Sequence, residues 1–465
     1  MSLLIKNGLI VTANGSRNGD VFIDNEKIVA IGTDLQMTAD EVVDAEGKYI
    51  LPGAIDPHTH LAMPFMGTNS TDDYETGTIA AACGGVTSLI DFAVQAKGES
   101  IRQCLDRKGS WAEGKVAIDF SHHPGITDPT EEVIAEVEKA VKEYGTPSFK
   151  VFMVYDFRVD DAIMLKMLEE TKKHGGLVQV HAENFYVIQH MNEVFAAEGK
   201  LDTYHHALSR PNLAEEEAVY RACKLVELTD SSLYVVHLSS EEGLRQIQAA
   251  RARGLHVYSE TCPQYLLFTD DKYKLPDFEG AKYVMSPPLR TAASNEALWK
   301  GLMSGDVQTL ATDHCPFFFN GIKDMFGKDD YKKIPNGAPG LETLLMIMHS
   351  EGVRKGRISL EKMVDALSTS TARMFGLENK GSIEVGKDAD VVIFDPEQKF
   401  TVSIDKLHMN VDYTPFEGYE VTGMPYKVYS RGRQVAQWSD TSGTVEFTGE
   451  PGWGKFVKRA PFKPF

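Results

Sequence analysis

Residues that could bind metal ions recur at the ends of short apolar, β-branched segments in this chain. A His-x-His pair, His58 and His60, follows the first of these segments, and His181, His237 and Asp313 each follow a later one. Neutral imidazole and carboxylate groups are common ligands of zinc and related cations. Side chains two residues apart on a strand share one face, so His58 and His60 can hold one ion together. A single such histidine is more often a hydrogen-bonded residue at the edge of the core, but the repetition predicts a site.

Lys150 lies inside another apolar segment, where burial of an unpaired ammonium group would cost free energy. Either the lysine forms an ion pair with a carboxylate, or its neutral amine reacts with carbon dioxide to give a carbamate. An ammonium group has no lone pair for a metal, whereas a carbamate offers two oxygens and one negative charge. Without the surrounding histidines the ion pair is the simpler interpretation. With them, a carbamate would bridge two cations.

The number of donor groups then fits two ions that share one bridge. The first ion would take His58, His60, Asp313 and the carbamate, and the second would take the carbamate, His181 and His237. Two-metal sites hold their ions about 3.5–4 Å apart, and metal binding can lower the pKa of water from about 15.7 to about 7. The pattern therefore predicts a hydroxide nucleophile at neutral pH, without a serine or cysteine.

The apolar segments around these residues alternate with segments of helical periodicity. Eight strands are predicted, at residues 49–56, 87–92, 116–120, 148–153, 177–180, 233–236, 257–260 and 308–312. Helices are predicted between them, at 76–83, 130–144, 161–174, 215–228 and 241–253. This alternation is typical of a parallel sheet, and eight strands close a (β/α)8 TIM-like barrel of the α/β class. Catalytic residues of such barrels converge at the C-terminal ends of the strands, where the predicted ligands lie.

Both ends of the chain carry short alternating runs separated by turn residues, which indicate antiparallel strands. One predicted C-terminal strand covers 382–385. Neither end is expected to form a stable domain by itself. Residues 1–50 and 380–440 are therefore predicted to form one β-sandwich that flanks a barrel at 51–379. Two separate hairpins are the alternative. Residues 441–465, rich in glycine, proline, lysine and aromatic residues, are predicted to form an extended arm at a subunit interface.

With 42% hydrophobic residues among 465, the chain can bury a large core. Its net charge of −19 argues against nucleic acid or an anionic membrane as a partner. No apolar stretch approaches the ~20 residues of a membrane span, and the first eight residues lack the layout of a signal peptide. The five scattered cysteines fit reduced thiols in the cytoplasm. Cys315, two residues after Asp313, is predicted to be packing material rather than a catalytic thiol.

Nine segments that together span the chain carry a family resemblance. They are 51–60, 76–92, 149–153, 180–184, 381–395, Thr261-Cys262-Pro263-Gln264-Tyr265, Ser286-Pro287-Pro288-Leu289-Arg290, Ile334-Pro335-Asn336-Gly337 and Asp412-Tyr413-Thr414-Pro415-Phe416-Glu417-Gly418. Together they resemble the amidohydrolase superfamily. The last four match its cyclic amidase branch, the dihydropyrimidinases and hydantoinases.

The resemblance implies a hydrolase that opens the ring of dihydropyrimidines, 5-substituted hydantoins or both to N-carbamoyl (ureido) acids. It implies two divalent ions, with zinc the first choice, and a homo-oligomer, either tetramer or dimer. The implied ligands are His58, His60, Lys150 as N6-carboxylysine, His181, His237 and Asp313.

The resemblance also assigns roles around the substrate. Asp313 would transfer the proton, Tyr155 would stabilise the oxyanion, and backbone groups at Ser286 and Asn336 would hold the ring amide. From the residues alone, Tyr155 could equally be a surface aromatic, and Asn336 a turn residue before Gly337.

Three relatives of the cyclic amidases compete with this prediction. An allantoinase would use the same metal set on another cyclic ureide, and a dihydroorotase would want more cationic groups for a ring that carries a carboxylate. A non-catalytic relative, of the kind found among cytoskeletal signalling proteins, would lack the metal ligands, whereas every ligand position is filled here. The apolar residues Met63, Phe65, Phe152 and Phe157 are either packing at the barrel mouth or a pocket for a ring substituent.

Overall fold

An eight-stranded parallel sheet forms the centre of the computed structural model, which describes residues 2–465. Its strands are β1 (Ala54–Thr59), β2 (Val86–Val94), β3 (Asp119–Gly125), β4 (Ser148–Phe152), β5 (Leu177–His181), β6 (Ser232–Val235), β7 (His256–Thr261) and β8 (Thr309–Leu310). Each strand pairs with the next along the chain, and a bridge between Thr59 and His314 brings the segment after β8 back to β1. The strands form a nearly closed barrel, so the predicted (β/α)8 class is confirmed.

Helices connect the barrel strands and cover the outside of the barrel. Those with five or more residues in α-helical geometry are Tyr74–Cys83, Ile101–Ala112, Glu131–Ala135, Asp161–His174, Phe185–Ala197, Tyr204–Ser209, Asn212–Thr229, Glu241–Ala252, Pro263–Leu267, Ala292–Ser304, Leu360–Val364 and Ser370–Phe375. Side-chain caps fix several starting points. Asn184, for example, accepts a hydrogen bond from the backbone N–H of Val187, so a helix begins shortly after His181. None of the helices in the described residues has the length and apolar character that a membrane crossing requires.

Strands from both ends of the chain combine in one nine-stranded sheet beside the barrel. Its order is Thr444–Phe447, Arg433–Ser439, Glu420–Ser430, Val391–Thr401, Tyr49–Pro52, Leu3–Thr12, Gly15–Asp24 and Lys27–Gly32, with Glu41–Asp44 paired to Leu3–Thr12. Buried apolar residues from both ends, such as Ile5 and Val391, share one core. The predicted flanking β structure built from both termini is therefore confirmed, and separate hairpins are excluded.

Two predicted strands are divided or missing in the structure, and the strand predicted at 308–312 is limited to Thr309–Leu310. The first, at 49–56, is divided: Tyr49–Pro52 belongs to the terminal sheet, and β1 begins at Ala54. Gly53 lies between them because the backbone passes close to Thr87, where a Cβ on Gly53 would lie 2.0 Å from the Thr87 hydroxyl oxygen. The predicted strand at 382–385 is wrong. Ile383 packs into the core of the terminal sheet without pairing, so the apolar residue there marks burial rather than a strand.

The predicted arm at 441–465 is not separate from the terminal sheet: Thr444–Phe447 forms its edge strand, and the residues from Gly452 onward lie against the barrel of their own chain. Backbone hydrogen bonds join Phe120 to Lys455 and Val457, near the start of β3. The predicted strand at 116–120 begins instead at Asp119, because the Val116 carbonyl accepts hydrogen bonds from this C-terminal segment. Arg459 is buried and donates to Ser148 and to other groups beneath the barrel. The subunit contact expected of this arm stays a prediction.

Candidate metal centre

One cavity at the C-terminal ends of the barrel strands brings all six predicted ligands together. Its volume is about 100 Å³, and its lining includes His58, His60, Lys150, His181, His237 and Asp313. The ligands come from or directly follow five different strands, β1, β4, β5, β6 and β8. Parallel strands of a barrel all end at this face, which is why residues far apart in sequence meet there.

The ligand atoms lie at distances that suit shared ions. The Nε2 atoms of His58 and His60 each lie 3.1 Å from Oδ1 of Asp313. The donor atoms of these three residues all lie within 4.8 Å of one another. On the opposite side, the ring centroids of His181 and His237 are 4.4 Å apart, and His237 lies 5.4 Å from His58. These five side chains therefore form one continuous group.

Ring nitrogens of three of these histidines lack the hydrogen bonds that buried polar atoms normally form. Nε2 of His58, Nδ1 of His60 and Nδ1 of His237 are buried without a hydrogen-bond partner among residues 2–465. Nearly all buried polar side-chain atoms in native proteins are paired, so three unpaired nitrogens around one cavity need an explanation. A cation bound beside Asp313 would give Nε2 of His58 a partner, and the imidazole–carboxylate set suits zinc-like ions.

Charges around the cavity also favour a cation within it. Burial acts to lower the pKa of His58, but the carboxylates of Glu260 and Asp313 outweigh this effect and raise that pKa to about 9. Burial acts to raise the pKa of Asp313, yet His58 and His60 hold it well below its usual value. Burial lowers the pKa values of the other three histidines, which keeps their rings neutral. A neutral ring has a lone pair for a metal.

Lys150 is buried at the base of the cavity, between aromatic rings. Its side chain is 1% exposed, and no ion pair joins it to a carboxylate in the part of the chain that the structure describes. Burial lowers its pKa to about 8, although Glu260 and Asp313 act in the opposite direction. The ion-pair interpretation of this lysine therefore lacks its carboxylate partner.

Two buried carboxylates that were not predicted from the sequence form hydrogen bonds with histidines of the predicted ligand set. Glu260 is hydrogen-bonded to Nδ1 of His58 and also accepts from the Tyr234 hydroxyl at 2.7 Å. Glu183 is bonded to Nε2 of His181 at 2.6 Å. Carboxylates of this kind orient metal-binding histidines and fix the tautomer. Their sequence signal was weak: Glu260 lies at the end of β7, and Glu183 lies two residues beyond β5.

The three residues predicted to contact substrate meet at the same cavity. Nδ2 of Asn336 donates to the Ser286 hydroxyl at 2.9 Å, and Tyr155 lines the same cavity. Burial raises the pKa of Tyr155 to about 12, so its hydroxyl stays protonated. The half-buried Tyr155 ring lines the cavity, with its centroid 5.5 Å from that of His181.

Three residues of the cavity have left-handed backbone conformations. The φ angles are 73° at Tyr155, 38° at His237 and 53° at Asp313. Residues other than glycine adopt positive φ uncommonly, and such strain collects at functional sites. The surrounding packing therefore holds these side chains in place at the expense of backbone strain.

Apolar residues close one side of the cavity. Met63, Phe65, Phe152 and Phe157 all contribute to its lining, with the Phe152 and Phe157 ring centroids 5.1 Å apart. Phe65 belongs to a two-stranded hairpin, Pro64–Phe65 with Thr68–Asn69, that extends over the mouth.

Two features that contain cysteine offer no catalytic group. Cys315 lines the cavity, but burial raises the pKa of its thiol well above the usual value, so it remains a protonated packing group. Elsewhere, Cys83 lies near Glu342 and His408. Both oxygens of Glu342 already accept hydrogen bonds from His408, one of them from Nδ1 at 2.8 Å, so this cluster has no free carboxylate for a metal.

Similarity to known proteins extends over the whole chain. The profile of the amidohydrolase family matches residues 49–435. A D-hydantoinase of Geobacillus stearothermophilus is 47% identical over 465 residues, which covers 99% of this chain and 97% of that protein. A D-hydantoinase of Rhizobium radiobacter is 42% identical and covers 100% of both chains. The crystal structure of dihydropyrimidinase from Brevibacillus agri NCHU1002 matches with a TM-score of 0.96 at 48% identity, over 100% of both chains.

Proposed function

The chain belongs to the amidohydrolase family, and from that membership we propose that it opens the rings of dihydropyrimidines and 5-substituted hydantoins. Water adds to a ring carbonyl, the C–N bond of the cyclic amide breaks, and an N-carbamoyl (ureido) acid results. One observation carries this proposal: a cavity of about 100 Å³ brings six candidate metal ligands next to Tyr155, Ser286 and Asn336.

Two divalent cations, with zinc the first choice, fit the donor set. His58, His60 and Asp313 would hold one ion, His181 and His237 would hold the other, and carboxylated Lys150 would bind both. The unpaired histidine nitrogens and the pair of carboxylates around His58 support this assignment. When bound, the ions supply Lewis acidity that polarises the ring carbonyl and lowers the pKa of water.

Carboxylation of Lys150 is the second part of the proposal. The neutral amine forms an N–C bond with carbon dioxide and releases one proton, which leaves a carbamate with one negative charge. Burial of the lysine without an ion-pair partner supports this step, because the carbamate removes an uncompensated positive charge from the interior. It also places an anion between two cation sites that are otherwise lined mainly by neutral rings.

Tyr155 and Asp313 are proposed to act on the substrate directly. The Tyr155 hydroxyl donates a hydrogen bond to the ring carbonyl oxygen, which gains negative charge as water attacks. The Asp313 carboxylate accepts a proton from that water and delivers it to the leaving ring nitrogen. Backbone groups at Ser286 and Asn336 hold the ring amide in line with these two side chains.

The apolar wall of the cavity is proposed to hold the substituent at ring position 5. Met63, Phe65, Phe152 and Phe157 offer an aromatic and thioether surface beside the ligands. Bulky 5-substituted hydantoins therefore become substrates as well as dihydrouracil. The relatives named D-hydantoinase support a preference for the D enantiomer.

The scattered thiols support a cytoplasmic enzyme, since the five cysteines are free. The arm at 441–465 is proposed to contribute to a dimer or tetramer.

Allantoin is the substrate of the main competing activity and belongs in the same assay.

The test is a substrate panel run beside metal analysis on the purified protein. It contains both enantiomers of a 5-aryl hydantoin, dihydrouracil and allantoin. Hydrolysis of the D-hydantoin and dihydrouracil with two metal ions per subunit is expected. Two bound ions without hydrolysis of any ring would overturn the cyclic amidase proposal, and hydrolysis of allantoin alone would reassign it.

A further inference from the structure

Lys323 is a fully buried lysine that the proposed chemistry does not use. It ends a short helical turn, Phe319–Lys323, and its side chain is 0% exposed. Its Nζ donates to three backbone carbonyls: Ala281 at 3.0 Å, Val284 at 3.1 Å and Gly337 at 2.7 Å. Burial lowers the pKa of Lys323 to about 7, and no carboxylate within residues 2–465 opposes that effect. The three carbonyls favour the charged form because only an ammonium group has three N–H donors.

The carbonyls belong to the two segments that carry Ser286 and Asn336. Val284 lies two residues before Ser286, and Gly337 directly follows Asn336. The segments also contact each other, since the N–H of Gly337 donates to the Val284 carbonyl at 2.9 Å. Gly337 is tightly packed as well, because a Cβ there would lie 2.3 Å from the backbone oxygen of Cys315. One ammonium group therefore joins two loops that are 50 residues apart in sequence.

We propose that Lys323 is a positioning residue, whose ammonium group holds the Ser286 and Asn336 segments together so that both engage the ring amide. The inference rests on the proposed role of those two residues in substrate binding. Its physical basis is that a neutral side chain at 323 removes one hydrogen bond from each of the three buried carbonyls, although backbone N–H groups still donate to those of Ala281 and Val284. The two loops are then held together by fewer hydrogen bonds, and substrate binding weakens before the chemistry at the metal ligands changes.

Lys323→Met tests this, because methionine keeps the apolar stem and removes the donors. Lys328→Met, at an exposed lysine five residues further along, is the matched control. The measurements are KM and kcat for a hydantoin, metal ions per subunit, and hydrogen–deuterium exchange of peptides covering 281–289 and 334–341. Since three hydrogen bonds are lost, KM is expected to rise at least about tenfold. The value of kcat should stay within about threefold and the metal content should not change, because Lys323 contacts neither ligands nor reacting atoms. Exchange should accelerate in those two peptides only.

Three results would overturn the proposal: an unchanged KM, a fall in kcat that matches the rise in KM, or faster exchange throughout the chain. Lys323→Arg covers the case in which the methionine variant does not fold, because arginine keeps a cation with several donors. A folded arginine variant with near-normal KM would then support positioning, and failure of both variants to fold would assign Lys323 to folding alone. If the wild-type protein hydrolyses no cyclic amide, the proposed function fails, and the exchange measurement still decides whether Lys323 links the two loops.

Discussion

Nζ of Lys150 lies 4.8 Å from the centroid of the Phe92 ring, and no carboxylate among residues 2–465 forms an ion pair with it. A lysine in this position is costly as a permanent ammonium and useful as a carbamate. We predict that Lys150→Ala loses bound metal and activity together, because the variant lacks the bridge. Short carboxylic acids such as acetate should restore part of both.

Metal content and hydrolysis rate, each with and without added acetate, check this prediction. Lys97→Ala, at an exposed lysine, is the control and should behave as wild type. Full activity of Lys150→Ala would refute the carbamate bridge.

Glu260→Gln should weaken metal binding while the fold is retained. The carboxylate of Glu260 bonds to His58 and raises its basicity, and loss of such a partner typically lowers metal affinity about 10–100-fold. Competition with a chelator measures this affinity, with the exposed Glu193→Gln as control. An unchanged affinity would show that Glu260 has only a packing role.

Tyr155→Phe should lower kcat by about 10²–10³-fold with little change in KM, because the hydroxyl meets charge that develops only in the transition state. Its metal content should equal that of wild type. Tyr186→Phe, at a side chain that is 71% exposed, controls for loss of a tyrosine hydroxyl nearby. A normal kcat in Tyr155→Phe would remove this residue from the mechanism.

His206 should make the fold sensitive to acid. Burial lowers its pKa to about 3, and its Nε2 is bonded to the Met285 carbonyl at 2.8 Å. An unfolded histidine titrates near pH 6.5, so between pH 6.5 and 3 the unfolded state binds a proton that the folded state does not. The stability from this group is therefore lost as the pH falls below 6.5, at up to about 1.4 kcal/mol per pH unit.

Urea unfolding between pH 7 and 5 measures that slope. His206→Gln should show a shallower decline of the unfolding free energy than wild type, whereas the exposed His190→Gln should not. Equal slopes for all three proteins would mean that His206 is protonated in the folded state.

The metal ligands could be predicted from the sequence because each is a residue type suited to metal binding and each lies at or near a strand end. Histidines at or just after the ends of β1, β5 and β6 were recognisable because each follows a run of apolar residues. The roles of Glu260 and Glu183 could not be recognised from the sequence. Their partners are histidines on or after strands, and a carboxylate near a strand end has many other uses. Lys323 was missed for a similar reason: its three acceptors are backbone carbonyls, which have no signature in sequence.

Element boundaries were harder to predict than element types. The division of 49–56 between two sheets depends on the contact of Gly53 with Thr87, which exists only once the barrel has formed. The start of β3 depends on the C-terminal segment, more than 300 residues away, because that segment donates hydrogen bonds to the backbone carbonyl of Val116. Alternation of apolar and polar residues along the sequence indicates which side chains are buried. Which segments pair as strands depends on tertiary contacts.

The central claim is that two cations share a carbamate on Lys150 at the barrel mouth. A crystal structure of the protein purified with zinc and bicarbonate, with anomalous diffraction recorded at the zinc edge, tests it directly. The account predicts two anomalous peaks about 3.5–4 Å apart, on either side of a carboxylated Lys150. A single peak, or two peaks beside an unmodified lysine, would contradict it.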